Sequence, residues 1–140
     1  MDAQVKRFFL QYERANSSSE LSEIGSLYAE TFMFGGPQGV QAVKKEDFLK
    51  VIPRMKAQFT ALGLVETKLN SVEASAIDSK YLLAKVGWVM TVETASGIRH
   101  LDALATYVLA RGDNDELSIV FQIDHQSLAN AIKELQEAAQ

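Results

Sequence analysis

From Leu64 onward the apolar residues fall at alternate positions, interrupted by turn signals at Asp78-Ser79, Ser96-Gly97 and Gly112-Asp113-Asn114-Asp115. Period-two patterning marks half-buried strands, and tight turns between strands join antiparallel neighbours. A meander of four long strands built this way has one apolar face that must be covered. The residues before Leu64 supply the cover. Val5, Phe8, Phe9 and Tyr12 lie three and four apart and predict a helix ending near Asn16. Ser17 and Glu20 have the spacing of a capping box, and Leu21, Ile24 and Tyr28 follow as a second short helix. Thr31 to Phe34 reads as a short strand entering a loop at Gly35-Gly36-Pro37. Phe48, Ile52, Met55, Phe59 and Leu62 form a third helical stripe that stops at Gly63, with Pro53 either kinking it or opening its second half. Helical spacing returns after His125 with Leu128, Ile132 and Leu135. The expected class is α+β. Three N-terminal helices pack in the concave face of a strongly curved antiparallel sheet and enclose a pocket for a small-molecule ligand.

A chain of 140 residues, 47% hydrophobic and 23% charged, matches one globular domain spanning 1–140. The net charge of −4 and the scattered lysines and arginines lack the basic footprint of a nucleic-acid binder. With no cysteine, disulfides, thiolate metal sites and a cysteine nucleophile are excluded. No stretch approaches the roughly 20 apolar residues that span a bilayer, and charges interrupt the N-terminal apolar pattern. The expectation is a cytoplasmic protein without membrane or nucleic-acid partners.

The turns propose registers. A loop of Ala95 to Gly97 pairs Thr94 with Ile98, so Met90 faces Asp102 and Trp88 faces Leu104. A four-residue loop, Gly112 to Asp115, pairs Arg111 with Glu116. Together these put Trp88, Met90, His100, Asp102, Thr106, Val108, Ile119, Phe121, Ile123 and His125 on one mainly apolar face. For the first hairpin, a three-residue loop at Asp78 to Lys80 adds Val72, Ala74 and Ala76 to that face. A two-residue loop would add Ser71, Glu73 and Ser75 instead. A slip of one residue inverts every such assignment.

On these registers Asp102 stands opposite His125, within about 5 Å between Cβ atoms, and His100 lies two residues along the same side. An aspartate that orients a histidine is a recurrent acid/base arrangement, so Asp102, His125 and His100 are the candidate catalytic residues. The competing reading is a solvated ion pair at the sheet rim. Trp88, Met90, Phe121, Phe34 and Tyr12 are candidate ligand-binding walls, while Tyr12, Tyr28 and Asn70 can offer hydrogen bonds. No metal or cofactor motif is present. Gly35-Gly36 lacks the strand-to-helix setting of a phosphate loop.

The segments LYAETFMFGGP and ATYVLARGDNDELSIVFQIDHQSL resemble the nuclear transport factor 2-like superfamily, also called cystatin-like or SnoaL-like. The second segment is most similar to the branch of kinase association domains and small stand-alone proteins. The resemblance implies a cone-shaped α+β barrel with a ligand at its mouth, in a superfamily that holds isomerases, cyclases, dehydratases and non-catalytic assembly domains. The steroid isomerase branch has a catalytic aspartate where this chain has Gly36. A second acidic residue would fall near Ala105 or Thr106, so that activity does not carry over. That alignment turns Tyr107 inward, against the hairpin registers, which place Thr106 there.

Two functions remain open. One is an enzyme performing proton transfer or water addition or elimination on a small apolar substrate. The other is a non-catalytic binding or assembly module, a homodimer through the sheet, using Val89, Leu101, Tyr107 and Val120 as its outer apolar patch.

Overall fold

A computed structural model describes residues 2–140. The chain runs α1 (Asp2–Ser17), α2 (Leu21–Gly25), β1 (Tyr28–Gly36), β2 (Gly39–Lys44), α3 (Lys45–Ala61), β3 (Leu64–Ala76), β4 (Tyr81–Thr94), β5 (Gly97–Arg111), β6 (Leu117–Asp124) and α4 (Leu128–Ala138). The fold is the expected α+β arrangement, with helices packed on a curled six-stranded sheet of order β2-β1-β6-β5-β4-β3. The sheet curls without closing, because β2 and β3 remain edges. Its neighbours are antiparallel except β1 and β6, which run parallel. That parallel pair departs from a purely antiparallel expectation: the connection from β1 to β6 takes in the rest of the sheet rather than a turn.

The helical stripes bury as their spacing demands. Val5, Phe8, Phe9 and Ala15 of α1 and Ile52 of α3 enter the core, whereas Met55 is exposed. Pro53 lies inside a continuous α3. The Ser17–Glu20 capping box does not form. Instead α1 runs through Ser17, and the Ser18 hydroxyl accepts from the Glu20 amide at 3.0 Å. The expected loop after Phe34 is a hairpin turning at Pro37-Gln38 into β2. Almost every residue of β2 is exposed, so it carries no apolar alternation to read. On α4, Ser127 caps the start, Ile132 is fully buried, and Gln136 donates to the carbonyls of Leu62 and Glu93 at 2.7 and 2.8 Å. The helix therefore docks on its own sheet.

The registers decide everything about the interior. The three-residue first hairpin is correct: Ala76 pairs with Leu82, Ala74 with Ala84 and Val72 with Val86. The second hairpin is not. Ala95-Ser96 alone makes the turn, and Gly97, at φ +101°, already pairs with Thr94. The Thr94 hydroxyl closes that turn, donating to Gly97 O at 2.7 Å. This one-residue slip turns β5 over. Leu101, Ala103, Ala105, Tyr107 and Leu109 face inward beside Trp88 and Met90, and His100, Asp102, Leu104, Thr106 and Val108 face out.

The third hairpin also shifts. Arg111 pairs with Leu117, because the Glu116 side chain folds back to accept from the Asn114 amide at 2.9 Å and Asp115 adopts a φ of +62°. A second irregularity leaves Val120 unpaired between the Leu109–Ile119 and Val108–Phe121 pairs. Beyond this bulge the parity of β6 reverses. Ile119 is inward as expected, but Gln122 and Asp124 replace Phe121, Ile123 and His125 on the inner side. Of the supposed outer patch, Leu101 and Tyr107 are inward.

This parity is directly testable. Leu109 is fully buried and Leu104 is 57% exposed. Leu109→Ala should cost about 3 kcal/mol and Leu104→Ala less than about 0.5 kcal/mol in chemical denaturation. Comparable costs would overturn the inward parity of β5.

Candidate functional site

The expected catalytic trio does not assemble. His100 and Asp102 are exposed on the outer face, where Asp102 pairs with Val89 rather than with β6. His125 is exposed two positions away, its amide donating to Leu104 O at 3.2 Å and its Nε2 lying 2.7 Å from Thr106 Oγ1. The double shift in register separates Asp102 from His125 along β5 by one full side-chain repeat. Asn70 is also exposed, at a break in the β3–β4 pairing between Leu69 and Ser71. Phe121 is half-buried on the outer side. The other proposed wall residues are inside: Trp88 and Met90 are buried, Tyr12 is half-buried with its hydroxyl end innermost, and Phe34 is half-buried on the inward side of β1.

What the interior brings together instead is an aromatic cluster with a polar thread through it. Phe9 lies 4.8 Å from Tyr107 between ring centroids, Tyr12 lies 5.5 Å from Trp88, and Tyr28 stacks at 4.6 Å on Phe32 and 4.8 Å on Phe48. Tyr12 comes from α1, Tyr28 from the first position of β1, Tyr107 and Trp88 from the inner sides of β5 and β4. Buried hydroxyls must be partnered or they cost 1–3 kcal/mol or so each. Here they partner one another. Tyr28 donates to Gln122 Oε1 at 2.5 Å, and its oxygen is 2.8 Å from the Tyr12 hydroxyl. A tyrosine has a single proton, so with that proton on Gln122 it is Tyr12 that donates to Tyr28. Gln122 Nε2 then donates to Asp124 Oδ1 at 3.1 Å. Every donor in the thread points toward the Asp124 carboxyl.

Burial dominates the proton affinities. It pushes the Tyr12 hydroxyl up to about 12 and those of Tyr28 and Tyr107 well above the ordinary phenol range. These groups are therefore hydrogen-bond donors, not bases, near neutrality. Burial also raises Asp124 above the usual carboxylate range, against the lowering effects of the Gln122 amide and of His125. Asp124 lies near the end of the sheet where β1 stops. An added Cβ at Gly36 would make ordinary van der Waals contact with Asp124 O, at 3.9 Å, and Phe34 Cε1, at 4.0 Å, so the strand end beside it has room for a small side chain. Two surface depressions, one on the outer sheet face and one between α1 and α2, are separate from this interior thread. Among the described residues no three His, Asp or Glu side chains converge as metal ligands, and no helix is long and apolar enough to cross a membrane.

Tyr107, Gln122 and Asp124 were absent from the expected site. For Tyr107 the isomerase-type alignment was a signal, since it turns this residue inward, where it is buried. Once β5 turns over and Val120 bulges, the Asp124-His125 dipeptide exchanges roles: the aspartate enters and the histidine leaves.

Helices laid on a curled sheet around a polar-threaded aromatic interior define an NTF2-like protein with the cystatin-like fold. The chain belongs to the family described as NTF2-like protein (DUF6841), whose model matches residues 1–127. No curated protein matches it. Among solved structures it is similar to an NTF-2 like protein of unknown function from Shewanella oneidensis, with 13% identity, TM-score 0.70, and coverage of 89% of this chain and 98% of that one. A Catenulispora acidiphila protein in complex with S-DNPA shares 11% identity at TM-score 0.70, covering 89% and 91%. A ketosteroid isomerase-like protein from Erwinia carotovora atroseptica shares 12% at TM-score 0.67, covering 88% and 93%. At these identities the likeness establishes the fold.

The raised Asp124 carboxyl sets a pH dependence. A group that binds its proton more tightly when folded contributes stability that is full below its unfolded pKa and is lost as pH rises through the folded value. Asp124→Asn removes that dependence. The wild type should therefore lose melting temperature relative to Asp124→Asn as pH rises out of the ordinary carboxylate range. Parallel curves for the two proteins would show that Asp124 is not perturbed by burial. In the same thread, Tyr28→Phe leaves Gln122 Oε1 without its donor and should cost about 1–3 kcal/mol by denaturation.

Proposed function

We propose that the chain binds a small, largely apolar molecule through one oxygen at the strand end beside Gly36, and that Asp124 exchanges a proton with it. The observation that carries this reading is the directed thread Tyr12–Tyr28–Gln122–Asp124 inside an aromatic interior. A carboxyl whose proton affinity is raised by burial can give or take a proton, and it is the kind of group that clusters at functional sites. Aromatic walls suit an apolar ring.

The comparison with isomerases supports the placement. In that branch an acidic residue falls near Ala105 or Thr106; here Ala105 is inward, and its cross-strand partner is Asp124. Cross-strand neighbours have Cβ atoms about 5 Å apart, so the carboxyl reaches a similar place from β6 rather than from β5. The second acidic position is Gly36, so Asp124 acts without a carboxylate there. The presence of a small-molecule complex among the similar structures and the isomerase-like description of the Erwinia protein fit the same reading.

Trp88 is the sole tryptophan and lies against Tyr12, so its emission reports the interior. Titration with 2-naphthol, a bicyclic phenol, should quench Trp88 saturably, and Asp124→Asn should weaken binding by about tenfold, the worth of about 1.4 kcal/mol. Unchanged emission, or equal affinity in the variant, would remove the site. The chemistry is tested separately with 2-tetralone in D2O. Protein-accelerated exchange of its α-protons, lost in Asp124→Asn, is expected. Binding without exchange would leave a non-catalytic binding protein.

A further inference from the structure

The outer face of the sheet carries a second cluster that the interior site does not use. Val86 and Trp88 point inward, so Gly87 presents its bare backbone outward, and it is itself buried. Ser71 and Leu104 are its partners on the adjacent strands, while Glu73 and Thr106 flank Lys85 in the next cross-strand row. With no side chain at Gly87 the surface dips there into a depression of about 380 Å³, lined chiefly by Ser71, Glu73, Lys85, Leu104, Thr106 and His125. The space is specific to glycine. An added Cβ would sit 2.5 Å from Ser71 Oγ, which already leans over the floor.

The chemistry of the lining is one cation, one anion and several neutral donors beside an apolar wall. Lys85 is exposed and forms no ion pair among the described residues, although Glu73 is its direct cross-strand neighbour. His125 Nε2 and Thr106 Oγ1 are 2.7 Å apart. Whichever of them donates, a donor is left over. If the threonine hydroxyl donates, the ring proton is on Nδ1; if Nε2 donates, the hydroxyl hydrogen is free. Leu104, 57% exposed, stands beside this pair with no apolar cover.

We propose that this depression binds a small organic carboxylate bearing a hydrogen-bond donor, a hydroxy acid in its simplest form. Lys85 and the spare donor of the Thr106–His125 pair take the carboxylate. The apolar body of the ligand lies over Gly87 against Leu104, and Glu73 accepts from the ligand's own donor. Glu73 also selects the charge. A singly charged carboxylate is balanced by Lys85, whereas a doubly charged phosphate would meet the glutamate's repulsion with one lysine to offset it.

The test is a titration of the isotopically labelled chain with 4-hydroxybenzoate, followed by amide chemical shifts. Saturable shifts are expected at Gly87, Leu104, Thr106 and His125, with a dissociation constant on the order of 1 mM for an open site of this kind. Lys85→Met, at an exposed position that leaves the rest of the spectrum in place, should weaken binding about tenfold through loss of the charge-assisted contact. The neutral amide 4-hydroxybenzamide should bind at least as much more weakly to the wild type. Absence of saturable shifts at these four amides overturns the proposal, as would self-association that covers the face. Equal affinity for the amide, or an unaffected Lys85→Met, also overturns it.

Discussion

Tyr107 packs with its ring centroid 4.8 Å from Phe9 and 6.1 Å from Tyr12, and both ends of this contact are fixed by other elements. Phe9 is fully buried on the apolar stripe of α1, and Tyr107 is among the largest buried side chains in the chain. A strand can place only alternate residues on one face, so holding Tyr107 inside commits the whole of β5. Leu101, Ala103, Ala105 and Leu109 follow it inward. His100, Asp102, Leu104 and Thr106 are carried out with the opposite parity. The outer depression therefore follows from this packing, and the interior thread follows from it together with the bulge at Val120.

An aromatic interior that also holds three phenols, an amide and a carboxyl has a problem that an aliphatic core does not. Each polar group surrenders water, and only a mutual network offsets the loss. For Tyr12, Tyr28 and Gln122 the thread answers this by running in one direction, each donating to the next until the Asp124 carboxyl ends it. Such a network is sensitive at its end. Tyr12 and Tyr28 retain their protons well beyond neutrality, so the one member of the Tyr12–Tyr28–Gln122–Asp124 sequence whose charge changes over the lower pH range is Asp124. The chemistry of the interior is concentrated there, close to the strand end at Gly36.

The element order was legible because each helical stripe and each long strand has a sustained period: Val5, Phe8 and Phe9 bury as spaced, and the meander from β3 to β6 forms in sequence. The polar site was not legible, and the reason lies in one turn and one bulge. Ala95-Ser96-Gly97 accommodates either a three-residue loop or a two-residue turn closing on a left-handed glycine, and the difference inverts β5. The strand's own composition argued for the second choice: Leu101, Ala103, Ala105, Tyr107 and Leu109 form a cleaner apolar row than His100, Asp102, Leu104, Thr106 and Val108. The bulge at Val120 has no comparable signal, since neither glycine nor proline marks it. Strand β2 escaped for a different reason. An exposed edge strand has no buried face, so it has no alternation to detect.

The same bulge links the two faces of the sheet. Asp124 and His125 are adjacent in sequence and point to opposite sides, one into the aromatic interior and one into the outer depression. Burial inside the aromatic interior dominates the proton affinity of Asp124 and raises it, with the Gln122 amide and then His125 working the other way. The bulge thus decides which of two adjacent polar residues is desolvated: the aspartate, not the histidine.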